Sequence, residues 1–284
     1  MTNLTSELNS GFSLQELENY FYRSSGEDCD FFKFIVQLLN KTPWLNIVDD
    51  SGFYRTICLE LAKEVENHNK NMGISEPDYH NRNHFQDVCT SLTLLLSQNI
   101  SKLHPSEQWN LQPDDLWALL LCAIGHDYGH NGTVNQSPQE LEKRSVEKIR
   151  QALHKSNLPT KDIEQVISRI EPIILATDPS SLHSLLDKIS SGPTKFNRID
   201  SMCMLMVESD LLASALPKHG QLLGQLLVQE WTQTNPQGAI AVGSKEGRIK
   251  FLEYIRFISP YAIMLGMEVI RQESINQLKN TDVR

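Results

Sequence analysis

The sequence predicts an all-α protein, and three observations carry the prediction. Apolar residues recur at spacings of three and four over most of the chain, which is the period of a helix that buries one face. No series of alternating patterns joined by hairpin turns indicates strands. Most prolines fall between the periodic segments, where they end helices. We expect one compact multi-helix bundle over residues 16–284, with a flexible N-terminus over 1–15 and an N-terminal helical subregion up to about residue 75.

Eight segments carry the helical pattern most clearly. One of them, DDLWALLLCAI, is apolar on nearly every side, which predicts a helix inside the core. Two stretches rich in Gly, Pro and Ser, 190–196 and 234–247, are predicted to be loops. In chain order the predicted helices are DCDFFKFIVQLLN, FYRTICLELAKEVE, HFQDVCTSLTLLLSQ, DDLWALLLCAI, DIEQVISRIEPIILAT, DSMCMLMVESDLLAS, HGQLLGQLLVQEWTQ and GRIKFLEYIRFISPYAIML.

Composition and charge narrow the class of function. The formal net charge of -9 argues against binding to nucleic acid or to an anionic membrane, both of which need a basic surface. The five cysteines are scattered and form no CxxC, so buried reduced thiols are expected rather than disulfides or a cysteine zinc site. Neither a signal peptide nor a membrane span is indicated. The sequence therefore predicts a cytoplasmic protein, and a homodimer is compatible with it.

Polar residues that are costly to bury follow the most apolar predicted helix. In CAIGHDYGHNG, His126 and Asp127 come directly after that helix, and a buried carboxylate is expensive unless it is paired or ligated. A single histidine on a helix is more often structural than a ligand, but here several imidazoles and carboxylates accompany the pair. Such a set suits zinc, manganese, iron or magnesium. The other candidates are His80, His84, His130, Asp210 and Glu230.

The motifs around these residues resemble those of a known family. YHNRNHFQDV resembles the YHNxxHxxDV signature of class I 3′,5′-cyclic nucleotide phosphodiesterases, within the HD-type metal-dependent phosphohydrolases. HDYGHNGTVNQ resembles the HDxxHxGxxNQ motif of that family, and IILATDPS and MVESDLLAS fall where later motifs are expected. The similarity runs from about residue 50 to about residue 270. It implies the family's all-helical fold, built around a central two-metal site.

The resemblance also implies a set of metal ligands. The tighter site would be held by His84, His126, Asp127 and Asp210, and Asp127 would bridge to a second metal that is mostly bound by water. The family usually has Zn²⁺ in the first site and Mg²⁺ or Mn²⁺ in the second. In the family, a hydroxide bridging the two metals attacks phosphorus in line and the 3′-oxygen leaves. The 5′-monophosphate is the product.

The leaving oxygen needs a proton, and the resemblance assigns this task to a histidine. In the family the first histidine of YHNxxH is the general acid, which is His80 here. His130 matches the last histidine of HDxxH, close to the metal ligands. Glu230 falls where the family has an acid that holds metal-bound waters, whereas Glu142 falls near a carboxylate that orients the general acid. The remaining histidines match no motif and are expected at the surface: His68, His104, His154, His183 and His219.

The substrate pocket implied by the resemblance contains one large departure. Phe251 matches the aromatic residue that stacks on the base, Leu227 is a candidate for the opposite apolar wall, and Tyr79 lies in the first motif. The family has glutamine where Arg248 stands. Because arginine only donates hydrogen bonds, it suits guanine acceptors or a second phosphate better than adenine. It could instead pair with an acid such as Glu208 or Glu253 and leave the pocket unselective.

The base is left open by a second departure, because Ala213 replaces an asparagine that helps the family to read it. The leading hypothesis is an enzyme that hydrolyses cAMP, cGMP or both. An alternative is an HD-type phosphohydrolase or nucleotidase acting on another phosphoester. A third is a catalytically inactive nucleotide-binding protein, and the complete set of candidate ligands argues against it.

Overall fold

The computed structural model describes residues 13–24, 30–42, 52–72, 76–156 and 158–280. Within these ranges the chain forms α-helices and three short 3₁₀ turns and no β-strand, which confirms the predicted all-α class. The segment expected to be flexible lies outside the described residues up to residue 12, and the first helix begins at Leu14. The helices are α1 (Leu14–Ser24), α2 (Phe31–Lys41), α3 (Phe53–Met72), α4 (Arg82–Leu96), α5 (Pro113–Gly125), α6 (Glu140–His154), α7 (Thr160–Leu175), α8 (Leu182–Ser190), α9 (Arg198–Ala215), α10 (His219–Thr234), α11 (Pro236–Gly243), α12 (Lys245–Tyr254), α13 (Pro260–Leu265) and α14 (Met267–Asn280).

The loop predicted over 234–247 is wrong, because most of this stretch is helical. Pro236 is the first residue of α11, where its fixed φ and missing N–H are tolerated. The side chain of Asn235 caps the helix by accepting a hydrogen bond from the backbone N–H of Gly238 at 3.1 Å. The residues taken for helix breakers therefore mark the beginning of a short helix.

The helix α5 lies at the centre of the core. Its residues from Trp117 to Gly125 are all buried, as its apolar sequence predicts. At its start, the backbone N–H of Gln112 donates to Asp115 Oδ2 at 2.7 Å, and Asp115 Oδ1 accepts from Arg169 of α7 at 2.6 Å. Because α5 is held at its first turn and packed along its length, the position of its C-terminal end is fixed.

Two further buried helices, α4 and α9, pack against each other and against α5. The side chain of Asn81 caps α4 by accepting from the backbone N–H groups of Asn83 and His84. At the start of α9, Asn197 and Asp200 form a reciprocal capping box, with hydrogen bonds of 2.8 and 3.1 Å. These caps fix where each helix begins and therefore which residues face the other two.

His219 was predicted at the surface, and this prediction is wrong. Its side chain is buried, stacks on Phe21 and bonds through Nε2 to Asp87 Oδ2 at 2.7 Å. Glu18 of α1 accepts hydrogen bonds from the backbone N–H groups of Lys218 and His219 at 2.7 and 3.0 Å. This polar junction joins α1, α4 and α10. It was not predicted from the sequence, because His219 belongs to no recognised motif.

Two further predictions from the sequence concern the state of the cysteines and the presence of membrane-spanning helices. Cys58, Cys89, Cys122 and Cys203 are buried free thiols, as predicted, while Cys29 lies outside the described residues. Across the described ranges, no helix has both the length and the apolar content needed to cross a bilayer.

We predict that Leu120→Ala lowers the free energy of unfolding by about 2–5 kcal/mol, because the fully buried side chain leaves a cavity in the centre of α5. Urea denaturation measures the change. Leu222→Ala is the matched control, since that leucine is 42% exposed and its loss should cost about 0.5 kcal/mol or less. Equal costs for the two variants would contradict the central position of α5.

Candidate metal and catalytic site

Four side chains from three helices meet at one point. His84 comes from the first turn of α4, His126 and Asp127 follow the end of α5, and Asp210 comes from α9. The Nε2 atoms of the two histidines are 3.3 Å apart. Each Nε2 lies near both carboxylates, at 3.1 Å (His84 to Asp210 Oδ1, His126 to Asp127 Oδ2), 3.4 Å (His84 to Asp127 Oδ2) and 3.6 Å (His126 to Asp210 Oδ1).

This arrangement of donor atoms fits a metal ion. In a tetrahedral zinc site with bonds of about 2.0–2.1 Å, neighbouring ligand atoms are about 3.3 Å apart. The observed separations of 3.1–3.6 Å scatter around this value. Two imidazole nitrogens and two carboxylate oxygens are also a donor set that zinc binds well. We conclude that the residues of this cluster can hold a divalent cation.

The electrostatics of the cluster are those of paired charges. Burial lowers the pKa of both histidines, but hydrogen bonds and charge from Asp127 and Asp210 outweigh it and raise the pKa to about 9 for His84 and about 10 for His126. Burial raises the pKa of the two carboxyl groups, yet the histidines hold both pKa values well below the ordinary range. Both acids are therefore ionised, and their negative charge is compensated by a cation or by protons on the imidazoles.

A second pair of titratable groups lies beside the cluster. His80 Nδ1 lies 2.5 Å from Glu230 Oε1, and Glu230 Oε2 accepts from the backbone N–H groups of Tyr79 and His80 at 2.8 and 2.9 Å. Burial raises the pKa of Glu230, but these hydrogen bonds outweigh it and hold the pKa below its ordinary value. An ionised Glu230 accepts a hydrogen bond from His80 Nδ1 and so fixes the proton on that nitrogen. Because Glu230 belongs to α10, this helix also sets the orientation of the His80 ring.

His130 completes this side of the site. Its ring stacks on that of His80, with centroids 3.7 Å apart. Burial and the neighbouring His80 lower the pKa of His130 to about 4, so its imidazole is neutral at physiological pH. The backbone N–H of Gly132 donates to His130 Nδ1 at 3.1 Å, which places the single proton of this neutral ring on Nε2. His130 is thus a hydrogen-bond donor and not a competing acid.

A cavity of about 470 Å³ opens onto the cluster. Asp127, Asp210 and His80 line it, and so do Phe251 and Leu227, the two residues assigned to a base pocket from the sequence. Tyr79 lines it too; its hydroxyl lies 3.2 Å from Ser214 Oγ, and its ring lies against that of His84. Trp231 and Val242, to which no role was assigned from the sequence, also line the cavity. Because Trp231 follows Leu227 by four positions, the helical period was the signal that could have identified it.

Arg248 does not line this cavity. Its Nη2 donates to the backbone carbonyls of Ser214 and Leu216 at the end of α9, and its guanidinium lies 5.4 Å from the centroid of the Phe251 ring. Neither Glu208 nor Glu253, the expected acidic partners, pairs with it. Glu208 is buried and accepts from the backbone N–H groups of Ile258 and Ser259, and burial raises its pKa to about 7.

Two carboxylates, Glu142 and Glu230, have hydrogen-bond partners other than those expected from the sequence. Glu142, expected near the general acid, accepts hydrogen bonds from Asn135 at 3.0 and 3.2 Å instead. Glu230, expected to hold metal-bound waters, is the residue that bonds to His80. The structure thus gives Glu230 the orienting position, because α10 passes directly over the segment that carries Tyr79 and His80.

Two kinds of comparison with known proteins gave matches. A family model described as 3′,5′-cyclic nucleotide phosphodiesterase matches residues 79–237, which is more than half of the chain. Among solved structures, 109 chains match. One of them, described as LmjPDEB1 in complex with IBMX, superposes with a TM-score of 0.62 at 16% sequence identity, covering 97% of this chain and 100% of the other. At that identity the match shows a shared fold. No curated protein matches the sequence.

We predict that Asp210→Asn weakens zinc binding by about 10-fold or more, because it removes one anionic ligand of the cluster. Isothermal titration with Zn²⁺ on the EDTA-treated protein measures the affinity directly. Asp187→Asn, at an exposed position of α8, is the control of equal charge change. Similar zinc affinities for both variants would show that Asp210 is not a ligand.

Proposed function

The chain belongs to the 3′,5′-cyclic nucleotide phosphodiesterase family, and from this premise we propose how its own residues act. We propose that it hydrolyses cAMP, cGMP or both to the 5′-monophosphate, with a divalent metal centre at the α4–α5–α9 junction and His80 as general acid. The observation that carries the proposal is the meeting of His84, His126, Asp127 and Asp210, in which each imidazole Nε2 lies 3.1–3.6 Å from an oxygen of both carboxylates, beside the paired His80 and Glu230.

The donor atoms support two different kinds of cation. His84, His126 and Asp210 form a compact set of ligand atoms within 4.8 Å of one another, which suits Zn²⁺ in the tighter site. Asp127 lines the cavity, so its carboxylate can also serve a second ion bound mostly by water, which suits Mg²⁺ or Mn²⁺. If bound by these residues, divalent cations would supply Lewis acidity, which would neutralise charge on phosphate oxygens and acidify water.

The proton for the leaving group comes from His80 in this proposal. With Nδ1 held by Glu230, Nε2 is the nitrogen that faces a substrate, and protonation there lets it deliver a proton to the 3′-oxygen. The negative carboxylate supports the imidazolium form while it lasts. His130, neutral and stacked on the same ring, offers Nε2–H to an anionic phosphate without taking the proton from His80.

The apolar part of the cavity supports a base pocket. Phe251 offers an aromatic face for stacking, and Leu227 of α10 faces the same space. A nucleotide whose base lies there would direct its cyclic phosphate toward Asp127, Asp210 and His80. Holding the phosphate next to the acid and the ligands supplies the orientation that the reaction needs.

We expect the purified chain, supplied with Mn²⁺ or Mg²⁺, to release 5′-monophosphate from cAMP, cGMP or both, and EDTA to abolish the reaction. Chromatography of the products measures both the rate and the position of the phosphate. The same panel includes cCMP, cUMP and 5′-mononucleotides. Release of inorganic phosphate from a mononucleotide, with every cyclic substrate unchanged, would favour a nucleotidase instead.

We predict that His80→Gln lowers kcat by about 10²–10⁴-fold while zinc affinity is unchanged, because the residue moves a proton and holds no metal. Glu230→Gln should lower kcat by about 10–100-fold, since the imidazole loses its anionic partner. Glu142→Gln is the control, because that carboxylate bonds to Asn135 instead. Loss of zinc in His80→Gln would mean that the acid and a ligand are exchanged.

A further inference from the structure

A second group of metal-binding side chains lies beside the cluster at the α4–α5–α9 junction. His80, His130 and Glu230 each offer one ligand atom, and these atoms lie within 4.8 Å of one another. None of the three residues is a ligand of the cluster. Two imidazoles and one carboxylate, with a fourth position left open, are a donor set that zinc binds in proteins. The group therefore has the composition of a separate cation site.

A hydrogen-bonded proton lies between two of these donors in the structure. His80 Nδ1 is 2.5 Å from Glu230 Oε1, which is the distance of a charge-assisted hydrogen bond and leaves no room for a metal ion. The ligand atoms of a tetrahedral zinc ion are about 3.3 Å apart. A zinc ion can enter only if the two side chains separate by about 0.8 Å and the proton leaves Nδ1. Binding here is therefore weaker than at the cluster, where the donor spacing already suits zinc.

His130 supplies the third donor without losing a proton. Its imidazole is neutral, because burial and the neighbouring His80 lower its pKa to about 4. A neutral imidazole always has one nitrogen with a free lone pair, whereas an imidazolium has none. The rings of His130 and His80 are stacked with their centroids 3.7 Å apart, so the two imidazoles lie side by side at the edge of Glu230.

A second cavity, of about 440 Å³, leads to all three residues. No lysine or arginine of the described chain lines it, and Phe251 and Leu227 of the proposed base pocket do not line it either. A cavity wall with this charge raises the local concentration of cations. A metal ion can thus reach the group without passing a bound base. The carboxylates in its lining are Glu76, Asp78, Asp127 and Glu230.

We propose that His80, His130 and Glu230 form an inhibitory zinc site, in which a zinc ion replaces the proton between His80 and Glu230. The binding of zinc stands by itself, whereas the inhibition rests on the proposed function. When zinc binds Nδ1 of the His80 imidazolium, the Nδ1 proton passes to solvent and one proton remains on Nε2. Donating that last proton would leave an imidazolate, so His80 no longer acts as an acid near neutral pH. The site is empty during turnover, because the tighter cluster takes zinc first.

Equilibrium dialysis of the full chain against zinc, followed by elemental analysis, tests the site without any substrate. Excess Mg²⁺ stays in the buffer, since it favours oxygen ligands and water over imidazole and so occupies the position at Asp127. We expect the wild type to bind two zinc ions, the second at least about tenfold more weakly than the first.

Two variants remove one donor each, and a third is their control. Glu230→Gln and His130→Phe should each weaken the second zinc ion by about tenfold or more and leave the first unchanged. His130→Phe keeps an aromatic ring against His80, so it separates loss of the donor from loss of packing. Glu142→Gln makes the same change of charge in the other cavity and should keep both ions.

Inhibition is measured separately, as turnover of a cyclic nucleotide with Mg²⁺ while free zinc is raised. Wild-type turnover should fall about tenfold or more as the second ion binds, and a chelator that removes only this ion should restore it. The residual rate of Glu230→Gln should not respond to the same zinc concentrations.

Binding of a single zinc ion by the wild type would overturn the proposed site, as would an unchanged second ion in both Glu230→Gln and His130→Phe. A filled second position with undiminished turnover would overturn the inhibitory role. If two zinc ions bind and no cyclic nucleotide is hydrolysed even before the second binds, the proposed function fails together with the inhibition, and the zinc site stands.

Discussion

The organisation of this protein depends on the compensation of two carboxylates inside a helical core. Asp127 and Asp210 are held against two buried imidazoles at separations of 3.1–3.6 Å, which only a bound cation or retained protons make tolerable. Each helix that contributes a residue is anchored elsewhere, α4 by Asn81, α5 by the Asp115–Arg169 pair and α9 by its capping box. The core is rigid where these anchors lie, so the four donor atoms keep their spacing.

His80, the proposed proton donor, is held in place by a single carboxylate. Glu230 bonds both to the imidazole of His80 and to the backbone that carries it, so α10 fixes the ring and the segment before α4 together. The same helix carries Leu227 and Trp231 toward the cavity, and its first turn is held by Glu18 of α1. One helix thus connects the proposed general acid, the proposed base pocket and the N-terminal part of the chain.

Arg248 shows that a substitution at a position of a family motif can suggest a role in substrate recognition that the folded structure does not support. Arginine at position 248 has the chemistry to read guanine, and the sequence could only weigh that against an acidic partner. The structure gives a third arrangement, in which the carbonyls at the end of α9 hold one edge of the guanidinium and Phe251 packs beside it. A cation near the last carbonyls of a helix is favourable, which accounts for this choice.

Apolar periodicity in the sequence predicted the helical class and most of the longer helices, and the motifs that resemble the phosphodiesterase family indicated the candidate ligands His84, His126, Asp127 and Asp210. The sequence could not determine which side chains contact one another in the folded protein. Which carboxylate meets His80, where Arg248 turns and whether His219 is buried all depend on helices that are distant in sequence and meet only in the folded core. The short helix α11 was not predicted, for a related reason. Pro236 and Gly243 are residues that commonly end helices, and the capping contacts that allow a helix between them are visible only in the structure. Only tertiary packing fixes these contacts, because a side chain's partner is set by the helix that lies opposite it.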